Sequence, residues 1–278
     1  MDFRTDLTLE RREILGKNTP DGVHYECEEK RGARITRIQV TDSDSAKAIG
    51  KPIGKYITVE VEPFYRQAQL IDSGALEALT QELRDIFPEQ GHVLVAGLGN
   101  TEITPDAFGP KCAAMLLPTR HIEAELAKSL GLGSLRCVSA FCAGVLGETG
   151  IESAEAIAGI VSKIKPDMVV AVDALAAREV SRLGCTVQIS DTGIIPGSGV
   201  GNSRALIDSD VLGVPVFSLG VPTVINASAL GGGECGDMVV TPREIDLLIE
   251  RASKFSALAL NCAFQPHLSA EDILILTS

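Results

Sequence analysis

Two hydrophobic patterns divide the chain. Residues 1–32 are rich in charge and hold no clean period. Ala33–Val40 (ARITRIQV) and Tyr56–Glu62 (YITVEVE) then alternate apolar and polar positions, the first with one slip at Arg37. Such alternation predicts strands with one polar face, here an edge unit or hairpin flanking a short helical or turn segment at Ser43–Gly50. From residue 74 the period changes. Leu76, Leu79, Leu83 and Ile86 form a helical stripe, followed by an apolar strand at His92–Leu98 and a helix starting at Pro105. Further strands are predicted at Cys137–Phe141, Asp167–Val172, Cys185–Ser190 and Val214–Gly220, with a helix at Glu152–Ile164. A last helix is predicted from Thr241-Pro242, with Thr as N-cap and Pro at the first helical position, running toward Leu260. The helix-strand alternation predicts an α/β fold of three layers, a mainly parallel sheet with helices on both faces. We read residues 1–278 as one α/β domain, with 1–70 as an N-terminal β-containing subregion. No internal repeat is present.

Composition narrows this picture in a few places. Of 278 residues, 45% are hydrophobic but only 4% aromatic, and Trp is absent, so the core must be aliphatic. The net charge of −12 excludes a polyanionic partner such as nucleic acid or an acidic membrane surface. The first residues hold no apolar segment of signal-peptide type, and no apolar run approaches the length of a membrane span. A cytoplasmic location is therefore expected. Seven cysteines, scattered singly with no C-x-x-C pair, read as reduced core thiols.

In open α/β sheets the chemistry sits beyond the carboxyl ends of the strands, and three segments place polar groups there. The first is Gly97-Leu98-Gly99-Asn100, followed by Thr104-Pro105-Asp106. Asp106 reads either as a complement to a helix dipole in its first turn or as a functional carboxylate. The second is Asp173, directly after DMVVAV. It either caps a helix begun by Ala174-Leu175-Ala176-Ala177 or is a partly buried carboxylate of raised pKa. The third is Ser190-Asp191-Thr192-Gly193 with Pro196-Gly197-Ser198-Gly199-Val200-Gly201-Asn202. This is either a surface turn or a place where backbone approaches a ligand closely, with Asp191 as a possible third carboxylate. Other chemistries are absent or weak. Pro196 breaks G-x-S-x-G at Ser198, Glu102 stands where a dinucleotide fingerprint needs its third glycine, and no P-loop or H-E-x-x-H motif occurs. His92 reads as structural and His121 as a capping donor or a ligand. Cys142 lies beside Gly144 with no histidine near it in sequence.

These residues resemble the spore germination proteases. The resemblance is carried by Arg4-Thr5-Asp6-Leu7, Gly54-Lys55-Tyr56-Ile57-Thr58, Gly97-Leu98-Gly99-Asn100, Thr104-Pro105-Asp106-Ala107, Thr119-Arg120-His121 and Gly150-Ile151-Glu152. It continues through Asp173-Ala174-Leu175-Ala176-Ala177-Arg178, Ser190–Ile194, Pro196–Asn202, Gly220-Val221-Pro222-Thr223-Val224 and Val240-Thr241-Pro242-Arg243-Glu244. The motifs keep the family's order from Arg4 to about Phe264. The resemblance implies an atypical aspartic endopeptidase that degrades small acid-soluble spore proteins during germination, in the spore core, with no cofactor. It also implies a fold similar to hydrogenase maturation proteases, a homotetramer, and synthesis as a zymogen. The family's catalytic aspartates correspond to Asp106 and Asp173. Gly97, Gly99, Asn100, Asp191, Gly197 and Ser198 are then expected to bind substrate, with backbone N–H groups of the two glycine loops facing the oxyanion. Two departures accompany this. Only Met1-Asp2-Phe3 precede Arg4 where family zymogens carry a propeptide, and the short link Leu230–Gly236 stands where the family has a long insertion. Two rivals follow. In one, the carboxylates, with or without His121, hold or sense a divalent metal; in the other, the chain only binds spore proteins.

Overall fold

The computed structural model describes residues 5–66, 74–201, 204–227 and 238–277. The glycine-rich link Leu230–Gly236, Arg4 and Asn202 lie outside them. Ten helices and nine strands are described: α1 (Thr8–Leu15), β1 (Val23–Lys30), β2 (Ala33–Val40), α2 (Ser43–Ile49), β3 (Gly54–Glu60), α3 (Gly74–Ile86), β4 (Val93–Leu98), α4 (Phe108–Ala114), α5 (Ala124–Ser129), β5 (Val138–Gly144), α6 (Leu146–Thr149), α7 (Ser153–Ile164), β6 (Met168–Ala177), β7 (Thr186–Ser190), α8 (Ser209–Leu212), β8 (Val216–Asn226), β9 (Val239–Val240), α9 (Ile245–Phe264) and α10 (Ala270–Thr277).

All nine strands join one sheet in the order β1-β2-β3-β7-β8-β6-β4-β5, with β9 added to β8. The layered α/β architecture is as expected, and the sheet is mixed. Strands β5, β4, β6 and β8 run parallel, whereas β1, β2, β3, β7 and β8 pair antiparallel. The N-terminal region supplies three of the antiparallel strands, β1 to β3, and β3 joins them to β7.

Alternation along the central strands feeds two cores, as a pleated strand buried on both faces requires. Met168, Val170 and Val172 of β6 pack on one side with α3, α4 and α9, while Val169 and Ala171 pack on the other with Ala154, Ile157 and Val161 of α7. Helix α9 is buried along almost its whole length from Leu248 to Phe264, because α3, α4 and α10 flank it.

The structure departs from the sequence pattern at several points. Asp173 does not follow a strand end, and Ala174–Ala177 do not begin a helix: β6 continues through Ala177, paired with Val221–Ile225 of β8. Parallel pairing overrides the helix preference of alanine, which is only a weak prior. Pro105 opens a single 3-10 turn, Thr104–Asp106, and α4 starts at Phe108. Helix α9 starts at Ile245 after a turn, so neither Thr241 nor Pro242 occupies the predicted cap positions. Strand β1 and helix α1 arise within the region that shows no period. Among the cysteines, Cys112, Cys185 and Cys262 are buried, but Cys27 and Cys142 are exposed rather than in the core.

A partly buried ion pair joins β2 to the main core. Arg37 of β2 donates from Nε to Glu82 of α3 at 2.8 Å, and its Nη2 also bonds Glu82 and Glu28. Glu82 is almost fully buried. Glu82→Gln is expected to lower stability by about 2 kcal/mol, the scale of a hydrogen bond to a charged group, measurable as a drop in the urea midpoint.

Candidate active site

The site is built where β4 stops and β6 runs on. The register of β4 against β6 ends at Gly97–Val172, so Asp173 is the first β6 residue past that pairing. It pairs with Gly220 of β8 and follows Val169 and Ala171 by strand alternation. On the other strand the chain turns at Gly99, whose φ is +116°, passes Asn100 and enters the Thr104–Asp106 turn. Helix α4 clamps both strand ends. A Cβ on Gly109 would lie 2.3 Å from the carbonyl oxygens of Leu98 and Val172, so only glycine allows this approach. That seat brings Asp106 and Asp173 to one cleft.

The cleft has a volume of about 320 Å³ and is lined by Gly99, Asp106, Asp173, Gly197, Arg204 and Asp6, among others. Gly197 and Arg204 belong to a loop closed at its base by the Ile194–Ile207 bridge. The two aspartates are held differently. Asp106 is partly exposed, and its Oδ2 accepts the Asn100 N–H at 2.7 Å. Burial raises its pKa, opposed by that hydrogen bond and by Arg204, with Glu148 adding a small push upward. Asp173 is 4% exposed, and its Oδ1 accepts the Ala174 N–H at 2.9 Å. Burial pushes its pKa well above the usual carboxylate range, and the charges of Asp106 and Asp6 push it further. The Ala174 N–H and Arg204 only partly offset this. Both shifts are upward, and the larger push falls on Asp173, the more deeply buried of the two.

Other residues singled out in the sequence separate on inspection. Gly99 and Gly197 line the cleft, and Asn100 serves it through the N–H bonded to Asp106. Ser198 lies beside it, donating to Asp6 at 2.6 Å. Gly97 does not face the cleft: it lies under α4, where a Cβ would meet the Gly109 carbonyl at 2.5 Å. Asp191 is exposed and accepts the Lys55 N–H at 2.7 Å, which ties the start of β3 to the end of β7. It is a strand-pairing residue and not a third carboxylate of the cleft. The third carboxylate is Asp6. Arg204 is the second residue that the sequence did not reveal; among the described residues, its buried Nη1 has no hydrogen-bond partner.

The geometry also bears on rival chemistries. Thr119 and Arg120 donate to the Val138 carbonyl at the amino end of β5, which sets His121 a full strand length from the cleft. Among the described residues, no three His, Cys, Asp or Glu side chains are grouped to hold a metal ion. The Cys142 thiol contacts the Pro110 carbonyl and lines none of the cleft. His92 bonds Ser139 at 2.9 Å, in keeping with a structural role.

A family model described as germination protease matches residues 5–234. The chain belongs to the germination protease family. It is 37% identical to a germination protease of Caldanaerobacter subterraneus subsp. tengcongensis, covering 98% of this chain and 97% of that protein. A Clostridium perfringens germination protease is 38% identical with 98% coverage of both. The Caldanaerobacter alignment spans 316 residues, longer than this chain of 278, so that relative carries segments without a counterpart here. Among solved structures, a [NiFe] hydrogenase maturation protease HycI from Thermococcus kodakarensis KOD1 aligns with a TM-score of 0.38 at 20% identity, covering 64% of this chain and 98% of that one. That likeness is too distant to carry an argument. Family membership supports a spore-germination peptidase. Among the described residues, no helix is long and apolar enough to cross a membrane.

Proposed function

We propose that this chain is an endopeptidase that hydrolyses small acid-soluble spore proteins through Asp106 and Asp173. The observation that carries the reading is the unequal pair: two carboxylates in one cleft, one deeply buried and repelled by its neighbour, the other shallower and hydrogen-bonded. Environments that push two titratable groups apart assign the acid and the base. Asp106 is the base. It takes a proton from a water as that water's oxygen attacks the scissile carbonyl carbon. Asp173 is the acid, donating its proton toward the carbonyl oxygen as the tetrahedral intermediate forms. Collapse breaks the C–N bond, with the proton held by Asp106 delivered to the leaving amine and Asp173 recovering its own. Arg204 lines the same cleft, and its guanidinium would stabilise charge on the intermediate.

The test is cleavage of a purified small acid-soluble spore protein by the intact chain, with Asp106→Asn and a chelator run in parallel. Asp106→Asn is expected to lower kcat by about a hundredfold or more, the scale of a lost general base, and chelation is expected to change nothing. Wild-type activity in the variant would remove the aspartate pair as the mechanism. Loss of activity on chelation would favour a metal, and binding without cleavage would leave a spore-protein-binding relative of the family.

A further inference from the structure

The segment around Asp6 is tied into the core by contacts that span most of the chain. The Asp6 N–H donates to the Ala176 carbonyl at 2.8 Å, and the Ala176 N–H returns to Asp6 Oδ2 at 2.9 Å. Ser198 Oγ donates to Oδ1 at 2.6 Å. Glu10, one turn into α1, anchors the segment further by accepting the N–H groups of Arg178 and Glu179 at 2.8 and 2.9 Å. Asp6 is therefore a buried carboxylate with both oxygens acting as acceptors, gripping the end of β6 on one side and the Gly197 loop on the other. It lines the cleft that holds Asp106 and Asp173, and also a smaller cavity of about 120 Å³ behind it. A Cβ on Gly199 would lie 2.2 Å from Asp6 Oδ2, so the loop is shaped around this carboxylate.

We propose that Asp6 is a positioning residue of the catalytic cleft: its carboxylate, which lines the cleft with Asp173, holds the Gly197 loop against β6 through its hydrogen bonds and acts electrostatically on Asp173. This rests on the two-aspartate reading above. The charges that reach Asp173 come from Asp106 in the 3-10 turn, Arg204 in the loop and Asp6 in the N-terminal segment. Glu148 of α6 acts on Asp106. Arg11 of α1, Lys51 after α2 and Tyr56 of β3 line the smaller cavity on the other side of Asp6. Asp6 thus adds a second negative charge to the one from Asp106, and both favour the acid form of Asp173.

Neutralising Asp6 lowers the pKa of Asp173, so the acid loses its proton at lower pH. In the pH profile of kcat for cleavage of a small acid-soluble spore protein, Asp6→Asn is expected to move the alkaline limb down by about one pH unit, the scale of one nearby charge. The acid limb, set by Asp106, should stay in place. Asp6→Glu keeps the charge and is expected to keep the wild-type limb at reduced kcat. A uniform fall in kcat with an unchanged profile in Asp6→Asn would overturn the inference and leave Asp6 a purely structural residue. Asp6→Ser is a second neutral variant in case the first does not fold. Loss of fold in both neutral variants, with Asp6→Glu folded, would overturn it too. Asp106→Asn and Asp173→Asn in the same assay separate the two layers. If either cuts at the wild-type rate, the aspartate-pair reading fails. If both are inactive and the Asp6→Asn profile overlays wild type, only the role of Asp6 fails.

Discussion

Asp173→Asn is expected to abolish cleavage while making the folded chain more stable at neutral and alkaline pH. Loss of the proposed general acid should lower kcat by about 10³-fold, within the range for a general acid that also stabilises developing charge. The stability effect has the opposite sign because the site is built against the charged form. Burial, Asp106 and Asp6 all raise the folded-state pKa of Asp173 above its unfolded value. For such a group the folded state binds the proton more tightly. Its contribution is fully present below the unfolded pKa and is lost as pH rises through the folded pKa, at about 1.4 kcal/mol per pH unit. Asparagine has no proton to lose, and its amide oxygen can still accept the Ala174 N–H. Urea midpoints of the two proteins should therefore diverge as pH rises above the usual carboxylate range, with the variant ahead, and converge at acid pH. A variant less stable than wild type throughout that range would mean that Asp173 serves as a local hydrogen-bond acceptor, not as a catalytic acid held at a cost in stability.

Asp173 was legible because it directly follows the apolar run DMVVAV, and Asp106 because it follows the glycine turn Gly97–Asn100 and the helix-start signal Thr104-Pro105. The sequence could not show that Asp173 lies inside β6, because the alanines after it are held extended only by their partners in β8. Strand β1 left no period for a related reason. Apart from Val23 and the half-buried Glu28, it is exposed, and it is paired along one edge only, so burial imposes no alternation on VHYECEEK. Glycine density marked the right loops but not the purpose of each glycine. Gly97 and Gly99 are two residues apart, yet one makes room for α4 and the other turns the chain at the cleft. Asp6 and Arg204 were invisible as site residues because they arrive by contacts at long range; Asp6 and Ala176 are separated by 170 positions. No local pattern records such a meeting, although Asp6 does fall within one of the motifs that carry the family resemblance.

Gly99→Ala should damage stability and activity together, and it tests whether the turn after β4 is what places Asp106. The φ of +116° at Gly99 is a conformation that side chains other than hydrogen rarely adopt. Space is closed as well: a Cβ there would lie 2.0 Å from the Asp106 carbonyl oxygen and 3.2 Å from its Cγ. Both atoms belong to Asp106, so the clash can be relieved only by moving it. The Asn100 N–H that now bonds Asp106 at 2.7 Å would be pulled out of line, removing the hydrogen bond that helps Asp106 ionise. Backbone strain and overpacking each cost about 1–3 kcal/mol, so a loss of about 3 kcal/mol is expected in urea denaturation. Displacing a reacting group by about 1 Å can cost about a hundredfold in rate, and kcat should fall by that order in protein that remains folded. Gly213→Ala is the control. Gly213 also has positive φ, at +70°, but caps α8 with open space around its Cβ position. It should lose about 1 kcal/mol and keep its kcat, because a left-handed residue alone carries only the conformational cost. Equal effects of the two substitutions on kcat would show that Asp106 is placed by α4 and its seat on Leu98 and Val172, and not by the turn.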